Sequence, residues 1–92
     1  MILYTYRSAA MDPASRWWGS DLPGEFFGTL EEARRVILCI RSEITSNPRE
    51  HWSPVNIERV ELAPLTRRSL LTLLNRGIGP LVRRCEVVET IE

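Results

Sequence analysis

The 92-residue sequence predicts one small α+β domain, residues 1–92, built as a two-layer sandwich. Two stretches place apolar residues at helical spacing behind a capping threonine. Other stretches are rich in β-branched and aromatic residues, as strands are. They alternate in the order β-(β)-α-β-α-β, where the bracketed strand is a short one near residues 25–28. A mixed or antiparallel sheet with both helices packed on one face is the most economical arrangement of these elements.

The first predicted strand, residues 2–7, directs Tyr4 and Tyr6 to one face and Leu3 and Thr5 to the other. An aromatic segment, RWWGSDLPGEFFG, then contains two pairs of adjacent rings. Since neighbours on an extended backbone point in opposite directions, each pair is expected to place one ring in the core, while the other lies on the surface or covers a helix. An outward ring would be the best surface anchor in the chain, because arginine beside tryptophan is typical of interaction hot spots. The residues concerned are Arg16, Trp17, Trp18, Phe26 and Phe27.

The first helix is predicted to begin after Thr29, where Thr29 and Glu32 match a capping box, and to end at Asn47-Pro48. Leu38 and Cys39 widen its apolar stripe, so we expect the second half of this helix to be buried on most sides. The stripe itself has steps of three and four residues and comprises Leu30, Ala33, Ile37, Ile40 and Ile44.

The second main strand is predicted over residues 55–62, after a loop that contains Trp52. Its apolar residues change phase from Val55 and Ile57 to Val60 and Leu62. A bulge around Glu58–Arg59 is the expected cause, because one extra residue reverses the faces of a strand.

The second helix is predicted to begin after Thr66 and to stop at Gly77. We expect a buried stripe of four leucines, at positions 70, 71, 73 and 74. Arg67 and Arg68 occupy the first turn, where the helix dipole disfavours cations. Either they form a solvated pair, or they offer two guanidinium groups to an acidic partner.

The last strand is predicted over residues 81–91, with Glu86 and Glu89 on opposite faces because their spacing is odd. Glu89 is expected to pair with an arginine such as Arg83. Cys39 and Cys85 lie in apolar patterns and are expected to be buried, reduced thiols.

Composition excludes several functional classes. Twelve arginines balance twelve acidic residues, so nucleic acid is an unfavoured partner. The sequence offers no metal-ligand spacing, phosphate loop or nucleophile–base pair, and its one histidine, His51, lies in a predicted loop. We therefore expect no metal and no cofactor. With no basic leader and no long apolar run, the expected location is the cytoplasm, without a membrane partner.

Two short motifs resemble the opening of compact ADP-ribosyltransferase-like domains: Tyr6-Arg7-Ser8, and the sequence GEFFGTLEEA at residues 24–33. The resemblance covers about a third of the chain. It implies an NAD- or nucleotide-binding domain in which Arg7 contacts NAD, Phe27 and Thr29 form the aromatic–threonine turn, and Glu86 or Glu89 is the catalytic glutamate.

The favoured hypothesis is a non-enzymatic protein-binding module. It would be a small regulator or inhibitor of the kind carried by phages and mobile elements, and it would bind either another protein or a second copy of itself. The alternative hypothesis is an ADP-ribosyltransferase-like domain. Binding of single-stranded nucleic acid by stacking on the tryptophans is the least favoured hypothesis. The predicted contact residues are Arg16, Trp17, Trp18, Trp52, Arg67 and Arg68.

Overall fold

The structure is a computed structural model that describes residues 1–10 and 25–92. It confirms a small α+β fold in which two helices accompany a three-stranded antiparallel sheet of order β1-β2-β3. A 3₁₀ turn, Gly79–Leu81, precedes the last strand. The elements are β1 Ile2–Ser8, α1 Leu30–Thr45, β2 Val55–Leu62, α2 Arg67–Arg76 and β3 Val82–Ile91.

The bulge lies in β3 and not, as expected, in β2. The pairing of β1 with β2 runs without interruption from Ile2 opposite Glu61 to Ser8 opposite Val55. Between β2 and β3 the register shifts, because Ile57 pairs with Glu89 whereas Glu58 pairs with Val87. Val88 is therefore an extra residue in β3, and the part of β3 beyond it has its faces exchanged. A second shift lies at the other end of the pairing, where Glu61 pairs with Arg84 and Leu62 with Val82, so that Arg83 is skipped.

The change of phase along β2 arises because the two ends of the strand bury opposite faces. One face, the α1 face, packs on Ala33 and Ile37 of α1. The other face packs on Leu73 of α2 and on Ile78. The expectation of both helices on one face is thus corrected. The α1 face carries Tyr4, Tyr6, Val55, Ile57 and Ile91, and the opposite face carries Leu3, Val60, Leu62 and Cys85.

Phe26 and Phe27 divide between these faces, as the alternation predicts. Phe27 is buried on the α1 face and forms an isolated bridge with Tyr4, with N–H···O distances of 2.7 and 2.9 Å. Phe26 packs into the cluster on the opposite face. The short strand expected near residues 25–28 is reduced to this single bridge.

The predicted bounds of α1 are confirmed. The Thr29 hydroxyl accepts from the Glu32 amide at 3.1 Å, and the helix ends at Thr45. The expected burial of its second half is wrong, since Leu38 and Cys39 are exposed. Only the side with Ala33 and Ile37 meets the sheet. Neither cysteine forms a disulfide, but Cys39 is exposed and Cys85 is half-buried, so the expected full burial of both thiols is wrong.

Candidate protein-binding surface

Helix α2 is fixed at both ends by local chemistry. Thr66 and Ser69 form a reciprocal capping box: the Ser69 amide donates to the Thr66 hydroxyl at 3.1 Å, and the Thr66 amide donates to the Ser69 hydroxyl at 2.7 Å. The Ser69 hydroxyl also donates to the Pro64 carbonyl at 2.9 Å. At the other end Gly77 adopts a φ of 82°. The start and direction of α2 are therefore defined by its own sequence.

The leucines of α2 do not form the expected buried stripe. Leu71 and Leu74 are 50% and 69% exposed, and Leu70 is also exposed, so only Leu73 packs inward. Leu65, just before the helix, is 68% exposed. The reason is that α2 packs against the 3₁₀ turn and one end of the sheet, which together cover only the Ser69–Leu73 side of the helix.

Arg67 and Arg68 accompany these leucines on the outer side of the helix. Both are exposed, and neither takes part in an ion pair within residues 1–10 and 25–92. With Leu71 and Arg76 they border an open concavity on the helix surface. The helix contains three arginines and no acidic residue, so it carries a local charge of three.

We call Arg67, Arg68, Leu71 and Leu74 the α2 surface. Leu71 and Leu74 are functional candidates that the prediction from sequence missed. Their spacing contained the necessary pattern, because positions 67, 71 and 74 are separated by four and three residues and share one side of a helix.

The other predicted contact residues do not join this surface. Trp52 is half-buried against the cluster on the α1 face, and its indole N–H donates to the Ile91 carbonyl at 3.3 Å. It lies on the other side of the sheet from the α2 packing site. Arg16, Trp17 and Trp18 lie outside the described residues.

The structure does not bring together the residues implied by the ADP-ribosyltransferase resemblance. Arg7 lies on the face opposite α1, where its Nε is 2.8 Å from Glu58 Oε2. Phe27 is buried on the α1 face, and Thr29 caps α1.

Glu86 and Glu89 lie on the same face, which corrects the prediction of opposite faces. Because Val88 is not paired, Glu86 and Glu89 are two paired positions apart instead of three. Both side chains therefore point to the α1 face, away from Arg7. Glu89 pairs with Arg34 of α1 at 2.8 Å instead of with Arg83. The Glu86 carboxylate contacts two arginines, Arg59 at 3.3 Å and Arg84 at 3.2 Å.

In the described part of the chain, no cluster of three or more histidine, cysteine, aspartate or glutamate residues could hold a metal ion. Nor do the described helices include one with the length and apolar character needed to cross a membrane. Comparison with family models, with curated proteins and with solved structures found no match for this chain.

Proposed function

We propose that this protein is a non-enzymatic binding module that recognises an acidic and apolar region of another protein through the α2 surface. The observation that carries the proposal is the exposure of Leu71 and Leu74 beside Arg67 and Arg68. Contiguous exposed apolar side chains are typical of interaction sites, and arginine is enriched at binding hot spots. A small regulator or inhibitor that acts by occupying its target is the role we propose for such a module.

Charge favours a different protein over a second copy as the partner. The whole chain is neutral, whereas α2 has three positive charges and no negative one. Two α2 surfaces pressed together would bring like charges into contact, which is unfavourable at an interface. Carboxylates on a partner would instead meet the planar guanidinium groups and form charge-assisted hydrogen bonds.

Affinity capture with matched variants tests this function. The protein is used as bait in extract from the organism that encodes it, and captured proteins are identified by mass spectrometry. The double variant R67E/R68E reverses two charges on the α2 surface. The control R35E/R41E makes the same change on exposed arginines of α1.

We expect the captured protein to bind the wild type and the α1 control alike. It should bind R67E/R68E at least about tenfold more weakly, a difference of about 1.4 kcal/mol. Isothermal titration calorimetry with the purified partner provides the measurement. A partner that binds all three forms equally would refute the assignment of function to α2.

A further inference from the structure

An apolar groove lies beside the α2 surface, between the helix and the end of the sheet. Its volume is about 240 Å³, and the surface that lines it is almost entirely apolar. Leu65 and Leu73 form the helix side, and Leu3 and Leu62 form the sheet side. The remaining lining residues are Met1, Phe26, Ala63, Ser69, Ile78 and Leu81.

The groove has the size and chemistry of a pocket for one large apolar side chain. A cavity of about 150 Å³ with similar walls binds benzene, so this groove has room for an aromatic ring or a leucine. Ser69, its one polar side chain, already uses its hydroxyl within the capping box and toward Pro64. The lining therefore favours an apolar ligand over a polar one.

The position of the groove relates it to the α2 surface. Leu73 lines the groove, Leu74 belongs to the α2 surface, and the exposed Leu70 lies between them around the helix. Apolar side chains thus continue from the groove to Leu71, and Arg67 and Arg68 border this band. Repetition at three- and four-residue steps along one helix matches the spacing of side chains on a second helix packed against it.

We propose that the partner presents an amphipathic helix, which seats one large apolar side chain in the groove while its aspartate or glutamate residues pair with Arg67 and Arg68. This inference rests on the proposed function and specifies its ligand. The positive charge of α2 selects acidic residues on the partner helix, and the apolar groove selects an aromatic or leucine anchor. A second copy of α2 would supply leucine but no carboxylate.

The test uses a displayed library of helical peptides, randomised along one face, that is selected against the immobilised full-length protein. We expect selected peptides to share a phenylalanine, tryptophan or leucine with acidic residues one turn away. Binding of the best peptide is then compared across variants. A63F fills the groove, L65E places a charge at its rim, R67E/R68E reverses the α2 charges, and R35E/R41E is the control.

We expect A63F, L65E and R67E/R68E each to weaken peptide binding at least about tenfold and the control to leave it unchanged. Thermal unfolding checks that A63F folds, and L65E tests the groove without altering its interior, since Leu65 is 68% exposed. Selected peptides that bind R67E/R68E weakly but bind A63F and L65E as well as the wild type would refute the hypothesis of an apolar anchor in the groove. That result would leave the proposed function standing. A library without binders would also overturn the helical anchor. Loss of the capture result above would instead overturn the function itself.

Discussion

Arg7 and Glu58 form the most buried ion pair among the described residues. Their side chains are only 8% and 4% exposed, and Cys85 Sγ lies 3.3 Å from the same carboxylate oxygen. On the same face, the buried Thr5 hydroxyl donates to the Glu25 carbonyl at 2.8 Å. In the described part of the chain every buried side-chain nitrogen and oxygen has a hydrogen-bond partner. Removal of either member would break a buried ion pair.

We therefore predict that Glu58→Ala lowers the free energy of unfolding by about 3–5 kcal/mol, because it breaks a buried ion pair by removing the carboxylate that lies 2.8 Å from the Arg7 guanidinium. That is a large part of the roughly 5–14 kcal/mol expected for a domain of this size. Urea denaturation measures the loss. Glu86→Gln is the control and should cost less than about 1 kcal/mol, since its arginine pairs are partly exposed to solvent and longer, at 3.2 and 3.3 Å. Equal losses in both variants would contradict this account.

The placement of Arg7 also bears on nucleotide binding. Arg7 pairs with Glu58 on the face opposite Glu86 and Glu89, so the sheet lies between the residues that the resemblance assigns to one site. We predict no binding heat when NAD is titrated to concentrations on the order of 1 mM. A saturable heat signal that Arg7→Met abolished in a folded protein would revive the transferase interpretation.

Helix α2 depends on Gly77 for its end. This residue has φ 82° and ψ −172°, a region that is essentially restricted to glycine. We predict that Gly77→Ala lowers the free energy of unfolding by about 1–3 kcal/mol, as measured by thermal or urea denaturation.

Gly28→Ala is the matched control for this prediction. A methyl group at Gly28 would meet only Glu32 Oε2, at 4.0 Å, and its backbone does not have a positive φ. Its effect should be neutral or slightly stabilising, because alanine restricts the unfolded chain. A Gly77→Ala variant as stable as the Gly28→Ala variant would argue against the strain at Gly77.

The extent to which sequence predicts this protein differs between elements for physical reasons. The bounds of α1 follow from local chemistry at Thr29 and at Asn47-Pro48, which acts whatever the helix packs against. Whether a side chain is buried depends instead on contacts with residues that are distant in the sequence. A change of phase along β2 fits either a bulge or a strand that buries opposite faces, and only the pairing with β1 distinguishes them.

The same reasoning explains what was missed at the candidate site. Arg67 and Arg68 were identifiable because cations are unusual in the first turn of a helix. The exposure of Leu71 and Leu74 could not be identified from the sequence, since four leucines on a short helix resemble a buried stripe. That exposure depends on where α2 packs, at the end of the sheet, and no spacing within the helix encodes this position.

The whole molecule is elongated, with dimensions of 47 × 24 × 19 Å and a radius of gyration of 14.4 Å. A compact domain of this length would have a radius of about 12 Å. Helix α2 contacts mainly the 3₁₀ turn, whereas β2 is paired on both sides. The two parts of the chain should therefore differ in local stability.

We predict that the backbone amides of α2 exchange with deuterium well before those of β2, because elements with few buried apolar contacts open locally at lower cost. Hydrogen exchange followed by mass spectrometry or NMR measures this difference. Binding of the partner to the α2 surface should slow exchange in α2 and leave β2 unchanged. Identical exchange in the free protein would indicate one cooperative unit.

The extra residue Val88 gives β3 one residue more than its pairing with β2 requires. Val88 shifts the phase so that Ile91 enters the cluster on the α1 face, with Trp52 bonded to its carbonyl. An in-frame loss of this one codon would remove the bulge without changing any pairing, because Val87 and Glu89 would then follow each other opposite Glu58 and Ile57, and Ile91 would keep its place among apolar side chains. At this point of β3, evolution can thus remove one residue more readily than it can add a second one.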